Sequence, residues 1–180
     1  MISVRWHGRG GQGCFTAARI LGAAAVHDGL HALAFPSFGP ERRGAPMLGF
    51  TRIDHSPVTD RSEVTACDFA VIMDDSILGE NVTRGLNPGG ALLVNTTLPL
   101  SPVVDDRIRL VRFDACTAAV KFLGKPIVNT AMLGALIAVS GIVSLESAVK
   151  AILEDAGIKQ PEKNAELLKY SLELVKNGKT

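Results

Sequence analysis

The sequence is poor in cysteine, and the three cysteines that it has lie far apart. Cys14, Cys67 and Cys116 stand about fifty residues from one another, without any C-x-x-C pair. This spacing gives no disulfide framework and no zinc or iron–sulfur motif, so any cluster used in electron transfer would lie on another chain. We expect Cys67 and Cys116 to be buried as small apolar residues. Cys14 lies at the predicted start of a helix, whose positive end can lower a thiol pKa.

An excess of charge and a long apolar run are also lacking. The 19 basic and 18 acidic residues give a net charge of +1, and no basic run suited to a nucleic-acid backbone occurs, so nucleic acid is not an expected partner. The longest apolar run, residues 131–139, is far shorter than the roughly 20 residues of a membrane-spanning helix. Arg5, His7 and Arg9 interrupt the apolar N-terminal residues, unlike a secretory or transit peptide. We expect a soluble, cytoplasmic protein.

The sequence does have a regular alternation of strand-like and helix-like segments. Apolar runs predict strands at 2–6, 32–35, 47–53, 69–73, 91–94 and 108–113. Helical spacing predicts helices at 13–27, 117–123, 130–139, 145–153 and 162–176. Glycine and proline predict a long loop at 36–46 (PSFGPERRGAP) and a turn at 88–90. The alternation predicts an α/β fold: one domain over residues 1–180, with a doubly wound, mostly parallel sheet and helices on both faces, Rossmann-like.

The segment after the first predicted strand, Gly8 to Gly13, matches the template G-x-G-x-x-G. Glycines permit a tight turn and a close backbone approach, and the N–H groups that open the next helix attract anionic oxygen. A dinucleotide site also needs an acidic residue about twenty positions later, but Asp28 comes too early and Glu41 lies inside the proline-rich loop. The Lys-Ser/Thr ending of a nucleoside-triphosphate loop is missing as well. The pattern leaves three interpretations open: an anion site, a turn that faces a partner chain, and a tight turn without a ligand.

Further candidate groups follow the predicted strands or lie in the proline-rich loop. The carboxyl ends of parallel strands share one edge of a sheet, where the glycine segment, Asp74 and Asn95 would gather. Arg42 and Arg43 can grip a phosphate or a carboxylate bidentately, or form an ion pair with Glu41 or Asp74. We predict no catalytic residue and no metal ligand on this chain. The candidate binding residues are Gly8, Gly10, Gly11, Gln12, Gly13, Ser37, Arg42, Arg43 and Asn95.

Several polar residues also have ordinary structural interpretations. The pairs Asn95-Thr96 and Asn129-Thr130 can cap helices, and Ser37 can serve a turn. The pair Asp74-Asp75 is an improbable acid–base dyad, because adjacent residues of an extended chain point to opposite faces. The histidines lack metal-ligand spacing and are expected to be structural or at the surface: His7, His27, His31 and His55.

Two stretches together resemble a known family. Residues 8–13 with the small-residue helix after them, and residues 35–46 (FPSFGPERRGAP), are similar to the gamma subunit of the 2-oxoacid:ferredoxin oxidoreductases, which include pyruvate synthase. The segment Asp68 to Asp74 resembles the family's D-x-x-V-x-x-D strand, and Asn129 to Ala135 resembles its late N-x-x-x-L-G helix start. The resemblance covers most of the chain, and the proline-rich stretch is its most specific part.

The resemblance implies a subunit of an enzyme that converts a 2-oxoacid, coenzyme A and oxidised ferredoxin into acyl-CoA, carbon dioxide and reduced ferredoxin. In this family thiamine diphosphate lies between the alpha and beta subunits, 4Fe-4S clusters lie mainly on a delta subunit or domain, and the gamma subunit contacts coenzyme A. The expected partners are therefore alpha, beta and delta subunits, with ferredoxin as acceptor. Pyruvate, 2-oxoglutarate, branched-chain oxoacids and indolepyruvate stay open as substrates. The alternatives are a self-sufficient NAD(P)-dependent oxidoreductase and a coenzyme A-binding or nucleotide-binding regulator.

Overall fold

The computed structural model describes residues 1–37, 45–99 and 106–178. The strands are β1 (Ile2–Arg9), β2 (His31–Pro36), β3 (Pro46–Asp54), β4 (Cys67–Ile72), β5 (Leu86–Asn95) and β6 (Arg109–Phe113). The helices are α1 (Cys14–His27), α2 (Glu80–Thr83), α3 (Ala115–Leu123), α4 (Asn129–Ser140), α5 (Leu145–Glu154) and α6 (Pro161–Lys176), with one 3-10 turn at Asp75–Ile77. All six predicted strands and all five predicted helices are present. No helix in the described part of the chain is long and apolar enough to span a membrane.

The six strands form one sheet in the order β2-β3-β1-β4-β5-β6. Strands β1, β4, β5 and β6 are parallel to one another, whereas β3 runs antiparallel to both of its neighbours, β1 and β2. The predicted α/β class with a mostly parallel sheet is confirmed. Because β3 lies between them, β1 and β2 run in the same direction. The carboxyl ends of five strands therefore share one edge of the sheet, and the glycine segment opens there.

Two strands are longer than the sequence predicts. Strand β1 continues through Arg9, whose partner is Pro46 of β3, so part of the glycine template is strand. Strand β5 begins at Leu86, and residues 88–90, predicted as a turn, lie within it. The ladder between β4 and β5 shifts register over these residues. Such an irregularity lets β5 carry turn-forming residues that have no partner on β4.

One face of the sheet is covered by five helices. Helix α1 lies across β1, β2 and β3, helix α4 lies on β4 and β5, and α3, α5 and α6 pack against these two helices. Ala17, Ala18, Ala24 and Ala25 are fully buried, because small side chains let α1 lie close to the strands. In α4 every residue of Asn129–Ile137 is buried, as expected for a helix that is apolar on nearly every face.

The opposite face has a smaller apolar cluster and little helix. In the described residues the helical elements that pack on it are α2, through Val82, and the 3-10 turn, through Ile77. The helices are thus unevenly divided between the two faces of the sheet. The buried members of this cluster are Phe35, Phe50, Val64, Cys67, Ala70, Ile72, Val82, Leu92 and Val94.

A buried arginine holds α2 to this second face. The Arg5 guanidinium donates to the carbonyls of Val82 (3.1 Å) and Arg84 (2.6 Å) and, at 3.4 Å, to that of Thr65. Arg5 is 6% exposed, so these carbonyls give its two terminal nitrogens acceptors that replace water, while its buried Nε has no partner among the described residues. The chain before and after α2 is therefore fixed to the middle of the sheet by hydrogen bonds as well as by apolar packing.

His7 lies two residues further along β1 on the same face. It is buried, and its Nε2 has no hydrogen-bond partner among the described residues. Burial, with a smaller effect from the Arg5 charge, lowers the pKa of His7 from 6.5 to about 3. The folded protein thus keeps a neutral imidazole at a pH where the unfolded chain protonates it.

We expect this difference in pKa to make the free energy of unfolding fall as the pH drops below about 6.5, by up to about 1.4 kcal/mol per pH unit. The sign follows because the unfolded chain binds a proton that the folded protein excludes. A His7→Phe variant should lose this dependence between about pH 7 and pH 5, measured by urea unfolding. His31→Gln, at an exposed position, is the control and should behave like the wild type. Equal slopes in His7→Phe and the wild type would contradict the prediction.

Candidate functional site

The segment Gly10–Gly13, the second part of the glycine template, forms a tight turn between β1 and α1 at the carboxyl edge of the sheet. The N–H of Gly10 donates to the Ala45 carbonyl at 2.9 Å, which anchors the turn to the chain just before β3. Gly11 and Gly13 have φ angles of 95° and 82°. Residues with a Cβ rarely adopt this left-handed region, so the turn requires glycine at both positions.

The first turn of α1 leaves backbone donors without acceptors. The N–H groups of Cys14, Phe15 and Thr16 have no acceptor within the described ranges, and Gly13 at the N-cap has no side chain with which to cap them. Unpaired N–H groups and the positive end of the helix dipole attract anionic groups. This geometry supports the anion site that the glycines predict.

The cysteines differ in two respects from the expectation. Cys14 is buried with its sulfur 3.8 Å from that of Met73, and burial raises its thiol pKa to about 12, so the helix end does not activate it. Cys67 is buried as expected, and burial raises its pKa to about 11. Cys116 is exposed, because α3 buries Ala115 and its neighbours on the other side of the helix.

The Gln12 side chain forms a clip within the turn. Its Oε1 accepts from the Arg9 backbone N–H (2.7 Å), and its Nε2 donates to Asp74 (3.0 Å), which also accepts from Arg9 Nε (3.1 Å). Partial burial alone would raise the pKa of Asp74, but hydrogen bonds from Ser76 and Gln12 and the Arg9 charge hold it below the ordinary value. The Gln12 amide, predicted to face a ligand, is thus used inside the protein to join the turn to the end of β4.

Asn95 joins the end of β5 to α3. Its Nδ2 donates to the Met73 carbonyl (2.9 Å), and its Oδ1 accepts from the Ala115 N–H (3.0 Å). Asn95 therefore satisfies a donor in the first turn of a helix that follows another strand. Thr96 donates to the Asp75 carboxylate at 2.6 Å, so Asp74 and Asp75 have different partners, as expected for adjacent residues.

Asn95 also lines one of the cavities at this edge, which we call the acidic crevice. Its volume is about 310 Å³, and its charged residues are Asp74, Asp75 and Asp114. Among the described residues that line it, none is basic. Three carboxylates repel a phosphate, so this cavity is unsuited to the anion that the glycine turn attracts.

The second cavity, which we call the helix-end pocket, has a volume of about 290 Å³ and the opposite charge. The charged residues in its described lining are Lys125 and Lys159, and this lining contains no carboxylate. The starts of α1, α4 and α6 border it. Its lining residues are Gly11, Gln12, Gly13, Thr16, Leu123, Lys125, Ile127, Asn129, Thr130, Gly157, Ile158, Lys159, Gln160 and Asn164.

The proline-rich loop is described only at its two ends. Ser37 donates its N–H to the Leu48 carbonyl (2.9 Å) and lines a third cavity, together with His7 and Arg9. Arg42 and Arg43 lie outside the described residues, as does the segment 38–44 that contains them.

The pair Asn129-Thr130 lies inside α4, not before it. The N-cap is Val128, and Asn129 is the first helical residue, with its Oδ1 accepting from the Thr130 N–H at 3.0 Å. The Thr130 hydroxyl donates to Asn164 of α6 at 2.7 Å. The predicted role is therefore displaced by one position: Asn129 still satisfies one N–H of the first turn, while Thr130 connects two helices.

Sequence reasoning missed the basic half of this edge. Lys125 follows α3, whereas Lys159 and Asn164 lie at the start of α6, and none of them stands in a recognisable motif. The one local signal is Pro161 at the first position of α6, which marks a helix start. The sequence alone does not show that this helix start faces the glycine turn.

These features define an α/β protein with helix starts and unpaired backbone donors at the carboxyl edge of its sheet. Within the part of the chain that the structure describes, no group of three or more His, Cys, Asp or Glu residues could hold a metal ion. The family model Pyruvate ferredoxin/flavodoxin oxidoreductase matches residues 3–174. The chain belongs to this family, as the glycine turn and the proline-rich stretch indicate.

Similar proteins show which part of the enzyme the chain represents. It is 48% identical over 166 residues to pyruvate synthase subunit PorC of Methanocaldococcus jannaschii, covering 92% of each chain. It is 42% identical to the pyruvate/ketoisovalerate oxidoreductases common subunit gamma of Thermococcus litoralis, covering 96% of each chain. The crystal structure of pyruvate oxidoreductase subunit PORC from Thermotoga maritima superposes with a TM-score of 0.83 at 35% identity, covering 96% and 95% of the two chains. The chain is thus a gamma subunit of a pyruvate or 2-oxoacid:ferredoxin oxidoreductase, an oxidoreductase complex with further subunits.

Two glycine substitutions test how tightly α1 and α4 pack at the turn. Both Gly11→Ala and Gly13→Ala put a Cβ on left-handed backbone, which costs on the order of 1 kcal/mol. A Cβ at Gly11 meets open space, whereas one at Gly13 would lie 2.6 Å from Asn129 Nδ2. We therefore expect Gly13→Ala to lower the free energy of unfolding by about 1–3 kcal/mol more than Gly11→Ala, measured by urea unfolding. Equal losses would mean that the contact with Asn129 costs nothing.

Proposed function

We propose that this gamma subunit helps to bind coenzyme A and to assemble the complex, and that it carries out no chemical step itself. The observation that carries the proposal is the start of α1, where unpaired backbone donors follow two glycines with positive φ. Coenzyme A carries phosphates, and helix starts of this kind attract phosphate. The proposed binding residues are Gly8, Gly10, Gly11, Gln12, Gly13, Ser37, Arg42, Arg43 and Asn95.

These residues divide into two roles. Gly11 and Gly13 line the helix-end pocket and can approach a ligand through their backbone. Gln12 and Asn95 use their amides within the protein, so they support the site by holding the turn and α3 in place. Gly8 is buried in β1, where a Cβ would lie 2.6 Å from the Cys14 sulfur, so it contributes by allowing α1 to approach.

The partners in this proposal are the alpha, beta and delta subunits, with ferredoxin as acceptor of the complex. Thiamine diphosphate and 4Fe-4S clusters would lie on those partners, and the whole chain, 1–180, would act as one domain. The relative from Thermococcus litoralis is named as common to pyruvate and ketoisovalerate oxidoreductases, so one gamma subunit serves two 2-oxoacids there. By analogy, the pocket that selects the 2-oxoacid would lie on other subunits here too.

The alternative is a self-sufficient NAD(P)-dependent oxidoreductase. Strand β2, whose tip would carry the acidic residue for the ribose, ends at Pro36 and is followed by Ser37. Titration of the purified chain with NADH, followed by nucleotide fluorescence, distinguishes the two functions. Tight, saturable NADH binding would favour the alternative.

The arginines of the proline-rich loop provide the test of coenzyme A binding. In the assembled enzyme, Arg42→Ala and Arg43→Ala should each raise the KM for coenzyme A by about ten-fold or more with little change in kcat, because each removes a charged contact to the bound cofactor. Arg61→Ala, at an exposed position between β3 and β4, is the matched control. An unchanged KM in both variants would assign these arginines to a subunit interface.

Assembly is tested by purification. Affinity-tagged gamma subunit should carry with it the chains that hold thiamine diphosphate and the clusters. A stable enzyme with full coenzyme A-dependent activity that lacks this chain would overturn the assembly role.

A further inference from the structure

We propose that the helix-end pocket binds a phosphate group, as a phosphate monoester or a diphosphate, through the starts of α1, α4 and α6 together with Asn129, Lys125 and Lys159. The pocket adds residues that the proposed coenzyme A site does not include. It depends on the proposed function only for the identity of the molecule that carries the phosphate.

Three helices of substantial length start at this pocket. Helices α1, α4 and α6 have 14, 12 and 16 residues, and the pocket is lined by residues from the first turn of each. The start of a helix carries a partial positive charge of roughly half an elementary charge. Three such starts around one cavity create a positive potential even before the side chains are counted.

The Asn129 side chain is the second, independent observation. Asn129 is 8% exposed, and its Oδ1 accepts from the Thr130 N–H, but its Nδ2 has no acceptor in the described part of the chain. This Nδ2 lies against Gly13, between the starts of α1 and α4. The residue is largely buried, but its Nδ2 keeps contact with the open pocket that Asn129 lines, where an anion would supply an acceptor that the described residues do not.

The charged side chains of the lining add to the positive potential of the three helix starts. Lys125 follows α3 and Lys159 precedes α6, so two cations from different segments border the cavity. Asp155, just before Gly157 of the lining, faces Arg19 of α1 in a bidentate ion pair of 2.6 and 3.0 Å. The carboxylate of this loop is thus paired with a cation beside the pocket.

The wall on the α6 side is held in place before any ligand arrives. Asn164 Nδ2 donates to the carbonyls of Lys159 (2.9 Å) and Gln160 (3.2 Å), and its Oδ1 accepts from Thr130 of α4. Gln160 has a φ of 56°, the positive-φ residue other than glycine in the described backbone. A strained residue fixed by its surroundings is a common feature of ligand sites, and a preformed wall lowers the entropy cost of binding.

The size of the pocket limits what it can take. Its volume of about 290 Å³ lies at the lower end of the roughly 300–1,000 Å³ of pockets for whole small molecules. The pocket therefore suits a phosphate or diphosphate head group whose remainder extends outward. The acidic crevice, on the other side of Gln12, has the wrong charge for the same group.

The experiment measures dissociation constants of the assembled enzyme for inorganic pyrophosphate, coenzyme A and dephospho-coenzyme A. The variants are Asn129→Asp, which keeps the oxygen that accepts from Thr130 but puts a negative charge in place of the donor, and the double variant Lys125→Met/Lys159→Met. Each should weaken pyrophosphate binding by about ten-fold or more. The matched controls are Lys121→Met on α3, whose ammonium in the wild type lies 4.1 Å from the ring centre of Tyr170 on α6, and Asp114→Asn of the acidic crevice. Both should bind as the wild type does. Thermal unfolding of each variant verifies that it is folded.

The outcomes separate this inference from the proposed function. If a variant loses affinity for pyrophosphate and for coenzyme A to the same extent, a phosphate of coenzyme A occupies the pocket. If the variant loses less affinity for dephospho-coenzyme A than for coenzyme A, that phosphate is the 3′-phosphate of coenzyme A. If the affinity for pyrophosphate alone falls, the pocket is a site for free phosphate, and coenzyme A would bind through the proline-rich loop instead. Unchanged binding of pyrophosphate and coenzyme A in both folded variants, or no binding of either by the wild type, overturns the inference. Coenzyme A affinity that depends on Arg42 and Arg43 alone would then still support the proposed function.

Discussion

The close approach of the first turn of α1 to the strands beneath it determines the arrangement of the whole carboxyl edge. A Cβ at Gly8 would lie 2.6 Å from the Cys14 sulfur, and one at Gly49 of β3 would lie 3.0 Å from the Cys14 carbonyl. Real side chains at either position would push the helix outward. The start of α1, with its unpaired donors, is therefore placed directly over the end of β1 and not beside it.

This placement has an electrostatic consequence. The turn that leads into α1 lies between two cavities, because Gln12 borders both the helix-end pocket and the acidic crevice. On one side, helix starts and lysines gather; on the other side, three aspartates follow the ends of β4 and β6 or lie close to them. The clip formed by Gln12, Arg9 and Asp74 ties the positive and negative halves together without filling either cavity. The charge of the edge is therefore unevenly distributed, with lysines on the side of α4 and α6 and carboxylates on the other side of Gln12.

The elements of the fold could be predicted from the sequence because each has a strong local signal. The run of residues 69–73 is apolar on both faces, and the helix at 162–176 alternates apolar and charged faces. The roles of individual side chains were harder to predict, because they depend on partners that are far away in the sequence. Gln12 looks like a ligand donor until Asp74, more than sixty residues later, is found to accept from it. The sequence indicates that the helix start lowers the thiol pKa of Cys14, but burial of the side chain raises that pKa. Lys125 and Lys159 carry no local signal, since only the packing of α3, α4 and α6 brings them to one cavity.

The strand order also explains why the template G-x-G-x-x-G does not predict a dinucleotide site here. In the doubly wound dinucleotide-binding sheet, the second strand lies beside the first, and its tip brings an acidic residue to the ribose. Here the antiparallel β3 is inserted between β1 and β2. Neighbouring strands lie about 4.8 Å apart, so the tip of β2 is displaced to about 10 Å from β1. An acidic residue at that tip would be one strand too far from the glycine turn, whatever the sequence there. The same insertion places the ends of the proline-rich loop, Ser37 and Ala45, beside the turn, and the Gly10 N–H bonds to Ala45. The glycines therefore serve a turn that is hydrogen-bonded to the chain just before β3, the strand that takes the position of the second strand of a dinucleotide-binding sheet.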